Sequence, residues 1–247
     1  MKYTVASIIF LSFFLTPPVL AKKTQPKPAA IVQLIAPGAD RTDPVRDAMF
    51  KAAFGKDAPT MRTIEAQDYS FSPEAVQSLG GDMFALISMG QNENDGHASS
   101  GMNAIHYVRK TTSGYIKVGE WFDIGAAATF GAPALSYGFT NKLGRNAYLV
   151  TQAGGTWQGT TCEWTYLTEL TPEKPFNSAN FASFYSNSGA VEEGSGKEES
   201  IESVIISAIP DKSFAVSFSG SRKFTQNWVH NGSQGYKMKK GKELPIC

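Results

Sequence analysis

The second half of the chain is cut into short runs at a near-constant beat, and that beat limits the fold more than any motif does. ESVIISAI, SFAVSFS, RKFTQNWVH and SQGYKMKK follow one another, separated by Pro210-Asp211, Gly220 and Asn231-Gly232. Strand side chains alternate between two faces, so runs of this length between turn residues read as strands rather than helices. Asn-Gly between such runs is a strong hairpin signal. The same punctuation extends upstream. AIHYVRK (104–110) faces YIKVGEWF (115–122) across Thr111 to Gly114, and NAYLVTQA (146–153) faces TTCEWTYLTEL (160–170) across GGTWQG. DMFALISM (82–89) is a continuous apolar run between glycines, the pattern of a buried strand. MRTIEAQDYSF (61–71) reads as one extended stretch, and the Pro- and Asn-rich residues 171–185 read as a crossover.

One segment breaks the pattern. In TDPVRDAMFKAAFG (42–55), Asp43 suits an N-cap, Pro44 the first helical position and Gly55 a C-cap. Val45, Met49 and Ala53 fall four apart and form an apolar stripe beside Phe50 and Phe54. The fold class expected is therefore β-rich α+β, with antiparallel meander or sandwich-like sheets and one N-terminal helix packed on a sheet. Residues 1–21 read as a signal peptide and 22–41 as a flexible leader. A helix plus antiparallel β region follows over 42–185, then an acidic flexible loop over 186–200. A C-terminal β-meander over 201–247 belongs to the same domain.

The leader assignment rests on Lys2, the apolar stretch Val5–Leu15 and the small residues of Val19-Leu20-Ala21, with cleavage expected after Ala21. The apolar stretch is short for a bilayer span, so no stable membrane insertion is expected once it is removed. The formal charge of the whole chain is +1, and the leader carries only Lys2. A neutral mature chain is a poor bulk binder of nucleic acid, and the basic residues near the C-terminus are not interleaved with the aromatics of a single-strand groove. In an oxidising compartment the two cysteines, Cys162 and Cys247, form a disulfide. It would close a loop of about 85 residues, contributing roughly 4–5 kcal/mol on the loop-entropy model.

Catalytic signatures are weak. No serine sits in Gly-x-Ser-x-Gly, and His97 beside Ser99 and Ser100 does not define a base–nucleophile pair. Residues 91–102 imitate a calcium loop but place Gln91 first and Met102 last, where Asp and a bidentate Glu belong. His97, His106 and His230 fall into no metal-binding spacing, no phosphate loop or dinucleotide fingerprint is present, and no cofactor is expected. His106 alternates within a strand and reads as a sheet histidine.

The least ordinary stretch is GGTWQGTTCEW (154–164). Gly154-Gly155 permits a turn and Gly159 a bulge. Thr160, Cys162 and Trp164 share a strand face, which makes Trp164 a packing residue over the disulfide. Trp157, beside Gln158 near the turn, is open to two uses: packing, or stacking on a partner. The run from His97 to Leu170 resembles a family of exported proteobacterial proteins with no assigned activity, most specifically in the Gly-Gly-Thr-Trp-Gln-Gly-x-Thr-Cys core (154–162). The resemblance implies a bacterial envelope location and brings no catalytic residues. The expected function is that of a periplasmic or secreted non-enzymatic binding protein, which recognises a macromolecular partner, protein or cell-envelope glycan, through a β-sheet surface. The alternative is an envelope glycan-binding protein or hydrolase whose groove is lined by Trp157, Tyr166 and Trp121, with Glu163 or Glu120 as an acid.

Overall fold

A computed structural model describes residues 29–38, 43–192, 197–245 and 247; the expected signal peptide lies outside the described residues. The helix α1 (Pro44–Phe54) forms as its caps dictate. Asp43 accepts from the amides of Val45 and Arg46, and Gly55 closes the other end in the left-handed conformation, its amide donating to Lys51. Its buried face is Met49, Phe50, Ala53 and Phe54, while Val45 points outward and is half exposed. The apolar stripe is thus rotated from the four-apart series toward the two phenylalanines, which carry the larger area to bury.

Five strands follow as an antiparallel meander: β1 (Thr60–Ile64), β2 (Gln67–Gly80), β3 (Met83–Asn92), β4 (Met102–Thr111) and β5 (Gly114–Phe122). The stretch 61–71 is two strands, not one. Glu65 and Ala66 both adopt positive φ and make a two-residue turn that no Gly or Asn announces. The helix covers one face of this sheet, packing on Phe71, Leu86, Ala104 and Val108. The opposite face presents Ala85, Ile87, Met89, Ile105 and Tyr107 to a second sheet. Burial on both faces explains why β3 carries apolar residues without alternation.

The second sheet holds eight antiparallel strands in sequence order: β6 (Ser136–Thr140), β7 (Tyr148–Trp157), β8 (Thr160–Leu170), β9 (Pro175–Ser186), β10 (Ser200–Ile209), β11 (Ser213–Gly220), β12 (Phe224–His230) and β13 (Tyr236–Lys240). The expected crossover at 171–185 is in fact the β8–β9 turn and β9, paired with β8 along its length. Its buried positions are Pro175, Ser178, Phe181, Ser183 and Ser186, and two register shifts against β8 interrupt the two-residue period by which a strand is read from sequence.

This sheet curls on itself. β10 pairs with β9 only through Ser200–Glu202, then departs. β11 to β13 fold back over β7 to β9, so that Phe181 meets Trp228 at 5.8 Å and Tyr148 meets Tyr236 at 6.4 Å. Residues 29–38, the described part of the expected leader, lie in the remaining gap. Ile31 donates to the Ile205 carbonyl at 3.0 Å, and Ile35 and Tyr137 exchange backbone bonds at 2.8 and 2.9 Å. This covers the otherwise open edge of β6. Residues 193–196 of the acidic loop lie outside the described residues. Its stems are joined by the Asn187 amide donating to Glu199 at 3.1 Å, and Glu199 is gripped by Arg222 through two bonds of 3.1 and 2.5 Å.

The tail after β13 runs back across the sheet. Leu244 enters the inner core, and Cys247 is bonded to Cys162 with the Cα atoms 6.1 Å apart. Replacing both cysteines by serine should free the tail and lower unfolding stability by about 4 kcal/mol, most of it through the unfolded chain. Urea denaturation measures the loss, and a thiol count on native protein should read zero.

Candidate functional site

The β7–β8 hairpin organises one end of the molecule. Trp157 pairs with Thr160, and the connecting Gln158 and Gly159 have φ of 48° and 81°, a two-residue turn. The turn is therefore tighter than the Gly154–Gly159 connection expected, and Gly154-Gly155 lie inside β7. Their role is close approach. A Cβ on Gly155 would stand 2.6 Å from Thr129 Cγ2, and the Gly154 carbonyl accepts from the Thr129 amide at 3.3 Å. The loop between β5 and β6 can thus lie directly on the strand.

That loop is knitted to the β3–β4 loop. Gly131 donates to Ser99 at 3.0 Å, Gly101 donates to Ala132 at 2.9 Å, and the Gln91 side chain reaches the Phe130 carbonyl at 3.2 Å. His97 joins both loops to the hairpin, with Nε2 at 2.7 Å from the Thr156 carbonyl; a carbonyl only accepts, so Nε2 carries the proton. The result is a row of four rings in edge contact: Phe130 to His97 at 4.8 Å, His97 to Trp157 at 6.0 Å and Trp157 to Trp164 at 6.3 Å. Phe130 is 54% exposed and sits at φ 56°. A bulky residue held in the left-handed region with its ring in solvent is strained without gaining burial, a pattern that clusters at functional surfaces.

Beyond Trp164 the row continues into a groove between β8–β9 and β12–β13. Two hollows of about 380 and 410 Å³ share Asn180, Trp228 and Met238. Trp164 and Leu244 line the first, Tyr166 and Lys237 the second. Tyr166 also packs on Ala126, Ala128 and Ala153.

The residues singled out from the sequence thus divide. Trp157, Trp164 and Tyr166 flank one surface, and Gln158 is exposed at the turn tip beside Trp157. Trp164 is half-buried in the ring row, not enclosed over the disulfide. Trp121 stands edge-on to Tyr107 at 4.7 Å in the layer between the sheets. Glu120 is bound by Lys117 at 2.7 Å, and its carboxyl is held below the usual carboxylate range. Glu163 is half-buried, and that burial raises its carboxyl. Phe130 and His97 were missed as partners of Trp157, because two loops bring them together and no strand or helix period links them. Among the described residues no three His, Cys, Asp or Glu side chains are close enough to hold a metal ion. Comparison with protein-family models, curated proteins and solved structures found no match to this chain.

His106 is a second perturbed group, on the far side of the five-stranded sheet. It is fully buried between Phe54 at 4.6 Å and Phe122 at 5.7 Å, with Nε2 3.5 Å from Glu120. Burial lowers its pKa to about 4, against the upward pull of Glu120; Lys117 and Arg62 lower it further. The unfolded chain therefore takes up this proton first. The neutral ring's contribution is complete above about pH 6.5 and is lost as the pH falls toward 4, an effect on the order of 3 kcal/mol. His106→Leu should flatten the stability profile between pH 6.5 and 4, measured by urea unfolding at several pH values. In the ring row, Phe130→Gly should leave stability within about 1 kcal/mol, because relief of the left-handed strain offsets the lost contact with His97. Thermal melts read this directly.

Proposed function

We propose that this protein is an exported, non-enzymatic binding protein of the bacterial envelope, and that it holds an extended macromolecular partner along the ring row and the groove between β8–β9 and β12–β13. The observation that carries the reading is the ring row. Four aromatic side chains from three chain segments are fixed in edge contact at the surface, and the row runs on into a groove long enough for a chain rather than a compact ligand. Rigid aromatic anchors set in a supported surface are the residues that dominate binding energy at interfaces. His97, the one histidine in the row, already has Nε2 engaged by a backbone carbonyl, which suits a structural bridge better than proton transfer.

Export is supported by the Cys162–Cys247 disulfide, by the apolar leader with its small-residue cleavage site, and by the resemblance at residues 154–162. A protein segment is the first choice of partner. An envelope glycan is the second reading, favoured by Asn177 and Asn180 beside Tyr166 and Trp228, since amides and aromatic faces together suit sugar hydroxyls and C–H faces.

A photo-crosslinking amino acid placed at Gln158 in living cells should give a discrete adduct, reduced severely by Trp157→Ala. The same label at Ser113, in the β4–β5 turn, should give none. Equal adducts at both positions, or adducts indifferent to Trp157, would remove the ring row as the binding surface. Co-sedimentation with purified peptidoglycan, lost in Trp157→Ala, would favour the glycan partner instead.

A further inference from the structure

β7 and β8 have two ends, and the end away from the ring row carries a cleft of its own. At the mouth of the curled sheet the β6–β7, β8–β9, β10–β11 and β12–β13 connections converge on a hollow of about 660 Å³. Arg145, Asn146, Glu169, Phe176, Asp211 and His230 line it, drawn from all four connections and the strand ends beside them. Their polar groups are fixed before any ligand arrives. Asn146 Nδ2 donates to Glu169 at 2.7 Å, Arg145 Nε lies 3.5 Å from Asp211, and the Arg145 amide points at the same carboxylate at 3.4 Å.

Tyr148 lies behind the cleft, fully buried. A Cβ on Gly144 would stand 3.3 Å from its hydroxyl and 2.8 Å from Asp211 Oδ1, so the glycine lets the cleft wall lie close over the phenol. Burial, with Glu169, raises the phenol, which stays neutral beside Ser178 and Glu169. Tyr236, next to it, donates to the Leu143 carbonyl at 2.5 Å. The wall behind the cleft is thus held by the fold itself.

The chemistry of the lining selects the ligand. Glu169, Glu173 and Asp211 stand against Arg145 and Lys174, with His230 beside them, so the charges nearly cancel and the cleft draws neither a phosphate nor a polycation. Carboxylate acceptors stand among guanidinium, ammonium and amide donors. A group that donates and accepts at one atom, a hydroxyl, complements such a ring best. Half-buried Phe176 adds a flat apolar wall for the C–H face of a pyranose. Mouths of curled sheets are a common place for small-molecule sites.

We propose that this cleft binds a neutral saccharide, with Glu169 and Asp211 accepting from sugar hydroxyls, Arg145 donating to them, and Phe176 stacking on the ring. The site is separate from the ring row and does not depend on the function assigned to that row.

The test uses the full mature chain and three probes: maltotriose, cellotriose and triacetylchitotriose. At least one should bind with a dissociation constant of about 1 mM or tighter, followed by calorimetry and by amide chemical-shift changes at Asn146, Glu169 and His230. Glu169→Gln should weaken that binding about tenfold, the loss of a charged hydrogen bond. Ser233→Trp, at an exposed position on the rim, should block it without touching the core. Trp157→Ala should leave it unchanged, which separates this site from the ring row. Failure of all three probes to bind, binding that survives Ser233→Trp, or binding lost in Trp157→Ala would each overturn the proposal.

Discussion

In a flat eight-stranded sheet Phe181 on β9 would stand three strands from Trp228 on β12, and Tyr148 on β7 six strands from Tyr236 on β13. In this protein they share one apolar layer, with Phe181 5.8 Å from Trp228 and Tyr148 6.4 Å from Tyr236. Four large rings represent several hundred square ångströms of surface to remove from water, and no other layer is within reach of that face. The sheet has to bend until they meet. The short β9–β10 pairing is the hinge that allows it, and the bend creates both the groove beside Trp164 and the mouth above Tyr148.

The rest of the architecture holds that curl in place. The segment 29–38 ties β6 to β10, Arg222 fixes the stem of the acidic loop through Glu199, and the disulfide anchors the tail over the β8 end of the groove. The first segment and the disulfide link elements far apart in sequence and limit how the two halves of the sheet can separate, while the Arg222–Glu199 pair pins the loop stem to the neighbouring β11–β12 turn. The five-stranded sheet and its helix play a different part. They cover the outer face of β6 to β8 and supply the loop that carries His97. The ring row therefore sits where two layers meet, supported from both, and needs little reorganisation to receive a partner.

The ring row and the mouth occupy opposite ends of β7 and β8. One is aromatic and open, the other polar and balanced in charge. On the proposed reading, such a pair would let a chain be gripped by stacking at one end of the strands while a sugar unit is held by directed hydrogen bonds at the other.

Much of this was legible along the chain. The caps of α1, the buried run of β3, the hairpins around Thr111 and Gln158 and the C-terminal meander are local matters, set by the side chains of neighbouring residues and by what their backbones tolerate. The disulfide followed from there being two cysteines behind a leader that reads as an export signal. What the sequence could not show was which faces meet. The turn at Glu65-Ala66 carries no turn residue, and bulges against β8 interrupt the period of β9. His97, Phe130 and Trp157 stand dozens of residues apart, on two loops and a hairpin. Trp121 and Trp157 are both half-buried, yet one packs on Tyr107 beside the layer between the sheets and the other joins His97 in the ring row. Local chemistry determined the elements. The curl of the eight-stranded sheet decided which of their side chains became core, groove or mouth, because burial depends on neighbours that only the folded chain brings together.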